Sequence, residues 1–171
     1  MDPCHGHAHR TAAAIPCAVV TVSDTRSPET DASGGIIRER LEAAGHSVAA
    51  YHVTPDDVES VRALVKELAA RSDVHAILVN GGTGIAPRDG TFEAVADLLD
   101  RRLDGFGEIF RALSFEEIGA AAMLSRAVAG LIGDTPVFSM PGSPAAVRLA
   151  MERLIVPELA HVVGEARKGR A

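Results

Sequence analysis

The sequence predicts an α/β fold with three layers, α/β/α, built on a mostly parallel sheet with one antiparallel edge hairpin. Two patterns predict it. Short apolar, β-branched runs alternate with segments whose apolar residues recur at helical spacing, as in strands joined by crossover helices. Late in the chain, two strand-like runs flank Gly133-Asp134, a two-residue hairpin signal. A length of 171 residues suits one domain with a sizeable core.

Residues 1–14 are polar and Ala-rich without periodicity and read as a mobile N-terminal arm ahead of a single domain over 15–171. Cys4, His5, His7 and His9 in that arm read as a solvated tail, because structural metal ligands are held by a fold. Residues 17–23 (CAVVTVS) form the first buried strand. Ile37, Leu41 and Ala44 mark a helix over Gly35–Ala44, with Gly45 as its C-terminal cap. Residues 46–53 form a second strand. Thr54-Pro55-Asp56-Asp57 then reads as a helix start, with a Thr cap, Pro at the first position and acids in the first turn. Val58, Val61, Val65 and Leu68 form that helix's apolar face. A third strand, 75–80, runs into Gly81-Gly82-Thr83-Gly84. Short helices follow at Thr91–Leu99 and around Phe106–Leu113, and Ser114-x-x-Glu117 reads as the capping box of another. After the hairpin, Ser143-Pro144 starts the last helix, which Pro157 ends or kinks.

Composition excludes several classes. A net charge of −6 with one Tyr and no Trp argues against a nucleic-acid surface, which needs a basic face and stacking rings. No apolar run approaches the ~18 residues of a membrane span, and the N-terminus lacks the apolar core of a signal peptide. With only Cys4 and Cys17 no disulfide framework is available, so a cytoplasmic location is expected. Lys66 and Lys168 are the only lysines and neither follows a glycine-rich loop, which rules out a lysine-containing P-loop. Any phosphate must be held by backbone N–H groups, Arg or a metal.

Three unusual segments fall at strand carboxyl ends, where ligands bind in open α/β sheets: Ser23-Asp24, Gly81–Asp89 and Met140–Pro144. Gly81, Gly82, Thr83 and Gly84 offer bare backbone for an anion, although a tight strand-to-helix turn explains them equally. Arg88 suits phosphate neutralisation. Asp89 is either a magnesium ligand or an ordinary acid near a helix N-terminus, worth roughly 0.3–1 kcal/mol, and spacing alone favours the latter. Asp56 and Asp57 present the same choice; on a facing loop, such acids would share one divalent ion with Asp89. Arg126 is a candidate anion clamp beside Ser125, and Pro141-Gly142-Ser143 precedes a helix N-terminus suited to anions. Cys17, in a buried strand, reads as core, and there is no serine-hydrolase elbow.

The motifs TVSDTRS (21–27), D-x-SG (31–34), VTPDD (53–57), GGTGIAPRD-x-T (81–91), GFGEIFR (105–111), LSRAVAG (124–130) and MPGSP (140–144) stand in one order. By them the chain resembles the MogA/MoaB family of molybdenum cofactor biosynthesis, including the matching domain of gephyrin. The likeness spans about residues 16–164. Its compact length and its FGEIFRALSFEEIG segment look like the MoaB branch. The resemblance implies an α/β fold in trimers or hexamers. It implies Mg–ATP-dependent adenylylation of molybdopterin with release of pyrophosphate, the product passing to a molybdate-insertion protein. Asp56 and Asp89 match the family's metal-binding, activity-critical aspartates. Ser23, Asp24, Asp31 and Ser33 match other motif positions, which the resemblance implies bind nucleotide or pterin, and Ser125 matches its pterin-side hydroxyl. The chain departs at Gly90-Thr91-Phe92, where members usually carry valine and then Thr-Pro, and at Asn80, where Thr is usual. The alternative is a molybdopterin-binding delivery protein without turnover. A third possibility is an unrelated nucleotide-binding α/β protein.

Overall fold

The computed structural model describes residues 14–168. The arm's Cys4, His5, His7 and His9 lie outside the described residues. Six strands form one sheet in the order β2-β1-β3-β6-β5-β4. They are β1 (Pro16–Val22), β2 (Ser47–Thr54), β3 (Ala76–Asn80), β4 (Arg101–Arg102), β5 (Val128–Ile132) and β6 (Thr135–Met140). The first three and β6 run parallel, and β5 is antiparallel to both β6 and β4. The expected hairpin is present, with Ile132 paired to Thr135 across Gly133-Asp134 and Gly133 at φ 60°. Its strand β6 lies inside the sheet. The antiparallel edge is therefore two strands wide, because the two-residue strand β4 is added outside β5. Two arginines carry no periodicity, so the sequence offers no sign of β4.

Alternation along β1 sends Cys17 and Val19 to one face and Ala18, Val20 and Val22 to the other. Against the first face pack α1 (Ala32–Ala43), α4 (Asp104–Ile118), α5 (Pro144–Ala150) and α6 (Val156–Ala166). Against the second pack α2 (Val58–Ala69) and α3 (Thr91–Ala96). Helices thus cover both sheet faces, as the near-continuous apolar strands require. On the first face Phe106 stacks near Phe110 (centroids 6.3 Å) and meets Phe138 edge-on (5.4 Å). Rings buried this way contribute roughly 1.5–3 kcal/mol each. Cys17 is fully buried among apolar groups, and burial pushes its thiol up to about 12, so it is core and no nucleophile.

The order 2-1-3 reverses direction between β1 and β3. The β1–α1–β2 crossover runs outward over one face, and the β2–α2–β3 crossover returns over the other. The loops after β1 and β3 therefore part at a crevice above the sheet's carboxyl edge.

Four helix boundaries differ from the sequence expectation. Helix α1 begins at Ala32, capped by the Asp31 side chain on Gly34 N–H. Helix α2 begins at Val58, with Asp57 capping Ser60 N–H, because β2 continues through Thr54 and holds Thr54 in the sheet. This leaves Asp56 on a loop. Helix α3 stops at Ala96 instead of Leu99. Ser114 starts no new helix: it is buried inside α4, followed by a 3-10 segment at Gly119–Leu124. Of the two readings of Pro157, an end or a kink, the structure excludes the end, since the helix runs on to Ala166. A π-helical turn, Met151–Ile155, widens the coil so that Val156 N–H reaches Met151 O. The chain passes the proline without forcing its ring onto an α-helical carbonyl.

Candidate functional site

All three rim segments converge at the carboxyl edge. Ser23 N–H donates to Thr54 O (2.9 Å), joining the ends of β1 and β2, and Gly81 N–H donates to Met140 O (3.2 Å), joining β3 to β6. Gly142 packs on Gly81 so closely that a Cβ there would stand 2.8 Å from Gly81 Cα. The Ser33 hydroxyl donates to Gly142 O (2.7 Å), which ties α1 to the same loop.

The aspartates face the glycines. Gly82 has φ 60°, and a Cβ on it would lie 2.7 and 2.9 Å from the two Asp56 carboxylate oxygens. A Cβ on Gly84 would overlap the Asp89 carboxylate, with Cγ 2.9 Å away. The two acids thus lie against glycines two residues apart, a spacing that spans at most about 7 Å. Asp89 also closes its own loop: its Oδ2 accepts from Ala86 N–H (2.9 Å), and its N–H donates to Ala86 O (2.9 Å). A third acid joins them. Asp24 accepts from Asp56 N–H (3.1 Å) and pairs with the exposed Arg88. Partial burial, then the charges of Asp89 and Asp24, raise Asp56 above the ordinary carboxylate range. The Thr91 hydroxyl, 3.4 Å from Asp56 Oδ1, offsets this only in part.

Other predicted residues serve the scaffold. Asp31 is buried, accepting from Gly34 N–H (2.9 Å) and the Tyr51 hydroxyl (2.7 Å), with Arg26 3.6 Å away. Burial alone would raise it. Hydrogen bonds from the Thr21 hydroxyl, Gly34 and Tyr51, together with Arg26, outweigh burial and hold it low. The Asn80 amide, at the end of β3, donates to Thr21 Oγ1 (2.8 Å) and extends this network under the glycine loop. Arg126 is not a free anion clamp. Its guanidinium is taken by both Glu93 carboxylate oxygens, by Thr83 O and by the face of Phe92, so no fork remains for a ligand. Ser143 caps α5 through Ala146 N–H (3.2 Å). With Ser125 and Pro141 it also lines a cavity of about 150 Å³ walled by Ile118 and Leu124.

Sequence reasoning names Thr91 and Phe92 only within a departure from the family pattern, assigns neither a role at the site, and does not single out Glu93. Thr91 was within reach, since it closes the GGTGIAPRD-x-T motif. Nothing local in the sequence pairs Glu93 with Arg126, 33 residues away.

The donor set suits a hard divalent cation. Among the described residues no group of three or more His, Cys, Asp or Glu side chains is placed to hold a metal ion by itself. Two carboxylates beside bare amides suit magnesium, which keeps waters and takes remaining ligands from phosphate. Burial first, then the charges of Asp89 and Asp24, raise Asp56, and a cation beside the carboxylates would relieve the repulsive part.

Residues 18–161 match the family model described as a probable molybdopterin binding domain. The chain is 55% identical over 157 residues to molybdenum cofactor biosynthesis protein B of Halalkalibacterium halodurans, covering 91% of this chain and 92% of that protein. A crystal structure of a molybdenum cofactor biosynthesis protein B superposes with a TM-score of 0.90 at 51% identity, over 92% of this chain and 98% of that one. The tungsten cofactor synthesizing protein MoaB of Pyrococcus furiosus superposes with a TM-score of 0.81 at 38% identity, over 91% of this chain and 98% of that one. With the same fold and nearly full coverage, the chain belongs to the MoaB/MogA family of molybdenum cofactor biosynthesis proteins, which carry a molybdopterin-binding domain.

Proposed function

We propose that the protein is a nucleotidyltransferase that adenylylates molybdopterin with Mg–ATP. The observation that carries this reading is the set of Asp56, Asp89 and Asp24 around a glycine loop. The pterin's terminal phosphate oxygen attacks the α-phosphorus of ATP. A new P–O–P bond forms, the α–β bond breaks, and pyrophosphate leaves with the electron pair. This chemistry needs alignment of two anions and neutralised charge more than covalent help. In this proposal Asp56 and Asp89 hold the magnesium ion, which when bound offsets the charge of the triphosphate. The amides of Gly82, Thr83 and Gly84 receive phosphate oxygens. Arg88 exchanges Asp24 for phosphate, because an exposed ion pair contributes little. Ser125, Pro141 and Ser143 line the pterin side. The active form is a homo-trimer or homo-hexamer that hands its product to a molybdate-insertion protein.

Purified protein incubated with molybdopterin, ATP and Mg²⁺ should release pyrophosphate and form the adenylylated pterin. Asp89→Asn should lower the rate roughly 100-fold or more. An inert wild type, or full activity in Asp89→Asn, rejects the enzyme reading. Calorimetry that finds pterin binding without Mg–ATP binding makes the protein a carrier instead. Support against the carrier comes from Gly90, where a Cβ would collide with the Val58 side chain, so this departure from the family pattern is fitted to its surroundings.

A further inference from the structure

We propose that Arg126 is a positioning residue that aims the amides of the glycine loop. It follows the 3-10 segment and reaches across to β3's loop, where Nε donates to Thr83 O at 2.9 Å. Its fork is fixed at the other end by both oxygens of Glu93, at 2.5 and 2.9 Å. The guanidinium carbon sits 4.7 Å above the Phe92 ring centroid. A carboxylate and an aromatic face, both from the first turn of α3, thus set the direction of the guanidinium N–H that meets the loop.

A trans peptide is planar, so its C=O and N–H point in opposite directions. Holding Thr83 C=O toward Arg126 turns Gly84 N–H away from it. In the same way Thr91 N–H, 3.0 Å from Gly82 O, turns Thr83 N–H away from α3. Among the described residues, none accepts a hydrogen bond from the N–H of Gly82, Thr83 or Gly84. Three successive free amides make a nest for an anionic oxygen, and the phosphate class of ligand fits it. Gly84 has no side chain to resist rotation of the 83–84 peptide, so its orientation depends on the Arg126 bond. Arg126 thereby serves the nucleotide reading above without touching the nucleotide.

The decisive variant is Arg126→Lys, which keeps the charge and loses the planar fork. Two measurements are made on wild type and variant: the backbone amide resonances of Thr83 and Gly84 without ligand, and the calorimetric affinity for Mg–ATP. The expected result is a shift or broadening of both resonances, with those of Leu78 and Val79 in β3 unchanged, and affinity weakened roughly tenfold to 100-fold. Wild-type resonances and wild-type affinity in Arg126→Lys overturn the proposal. Should wild type bind no Mg–ATP, the nucleotide reading fails, and the resonances alone decide the role of Arg126. If Arg126→Lys does not fold, Glu93→Gln, which loosens only one end of the fork, is judged by the same two measurements.

Discussion

Asp31 illustrates how a motif residue can serve a site from beneath it. The D-x-SG pattern marks it in the sequence, and the resemblance suggests ligand contact. Its carboxylate instead caps α1 and receives Tyr51 from β2, a partner no local pattern reveals. The folded carboxyl is held below the ordinary value of 3.8. Its contribution is therefore complete above that value and is lost as pH falls through the lower folded-state pKa. Asp31→Asn should cost about 1.5–3 kcal/mol at pH 7 in urea denaturation, as expected for hydrogen bonds to a buried charge. Wild type should lose more stability than the variant between pH 4 and pH 2. Equal losses would show that Asp31 is not held ionised. Asp56 and Asp89 are the reverse case: spacing alone favours ordinary helix-start acids, the resemblance pairs them, and the fold sets them against Gly82 and Gly84.

At the level of elements, apolar periodicity located the buried face of α2 at Val61, Val65 and Leu68, whereas boundaries followed contacts made outside each helix. Thr54 had every local credential of an N-cap, yet pairing with Val22 in β1 kept it in a strand. That two-residue competition places Asp56 on the rim. Pro157 is the second instance. An α-helical interior proline costs about 3 kcal/mol, and the π-helical turn before it avoids that clash. Pro157→Ala should therefore change unfolding free energy by no more than about 1 kcal/mol. A gain near 3 kcal/mol in urea melts would mean that the proline is strained after all.

For the whole molecule, the exposed apolar face of α4 and the 3-10 segment is the feature a monomer explains least. Ile109, Phe115, Ile118, Met123 and Leu124 are all more than half exposed, and Ile118 and Leu124 continue into the cavity beside Ser125. Contiguous apolar surface of this kind marks contact with another protein surface. Light scattering should give a mass well above the 17.8 kDa chain, and the pair Phe115→Glu and Met123→Glu should return it to one chain while leaving the circular dichroism unchanged. A wild-type mass of a single chain would exclude the trimer and the hexamer alike. The alternation of strands and helices apart from β4, the hairpin and the convergence of three loop segments on one rim were readable from the linear chain, because periodicity and turn chemistry are local and crossover handedness leaves few topologies. The partners of Arg126 and the network under Asp31 were not. Each joins side chains that are remote in sequence, and only closure of the sheet, with helices packed on both faces, brings them within hydrogen-bonding or Coulomb range.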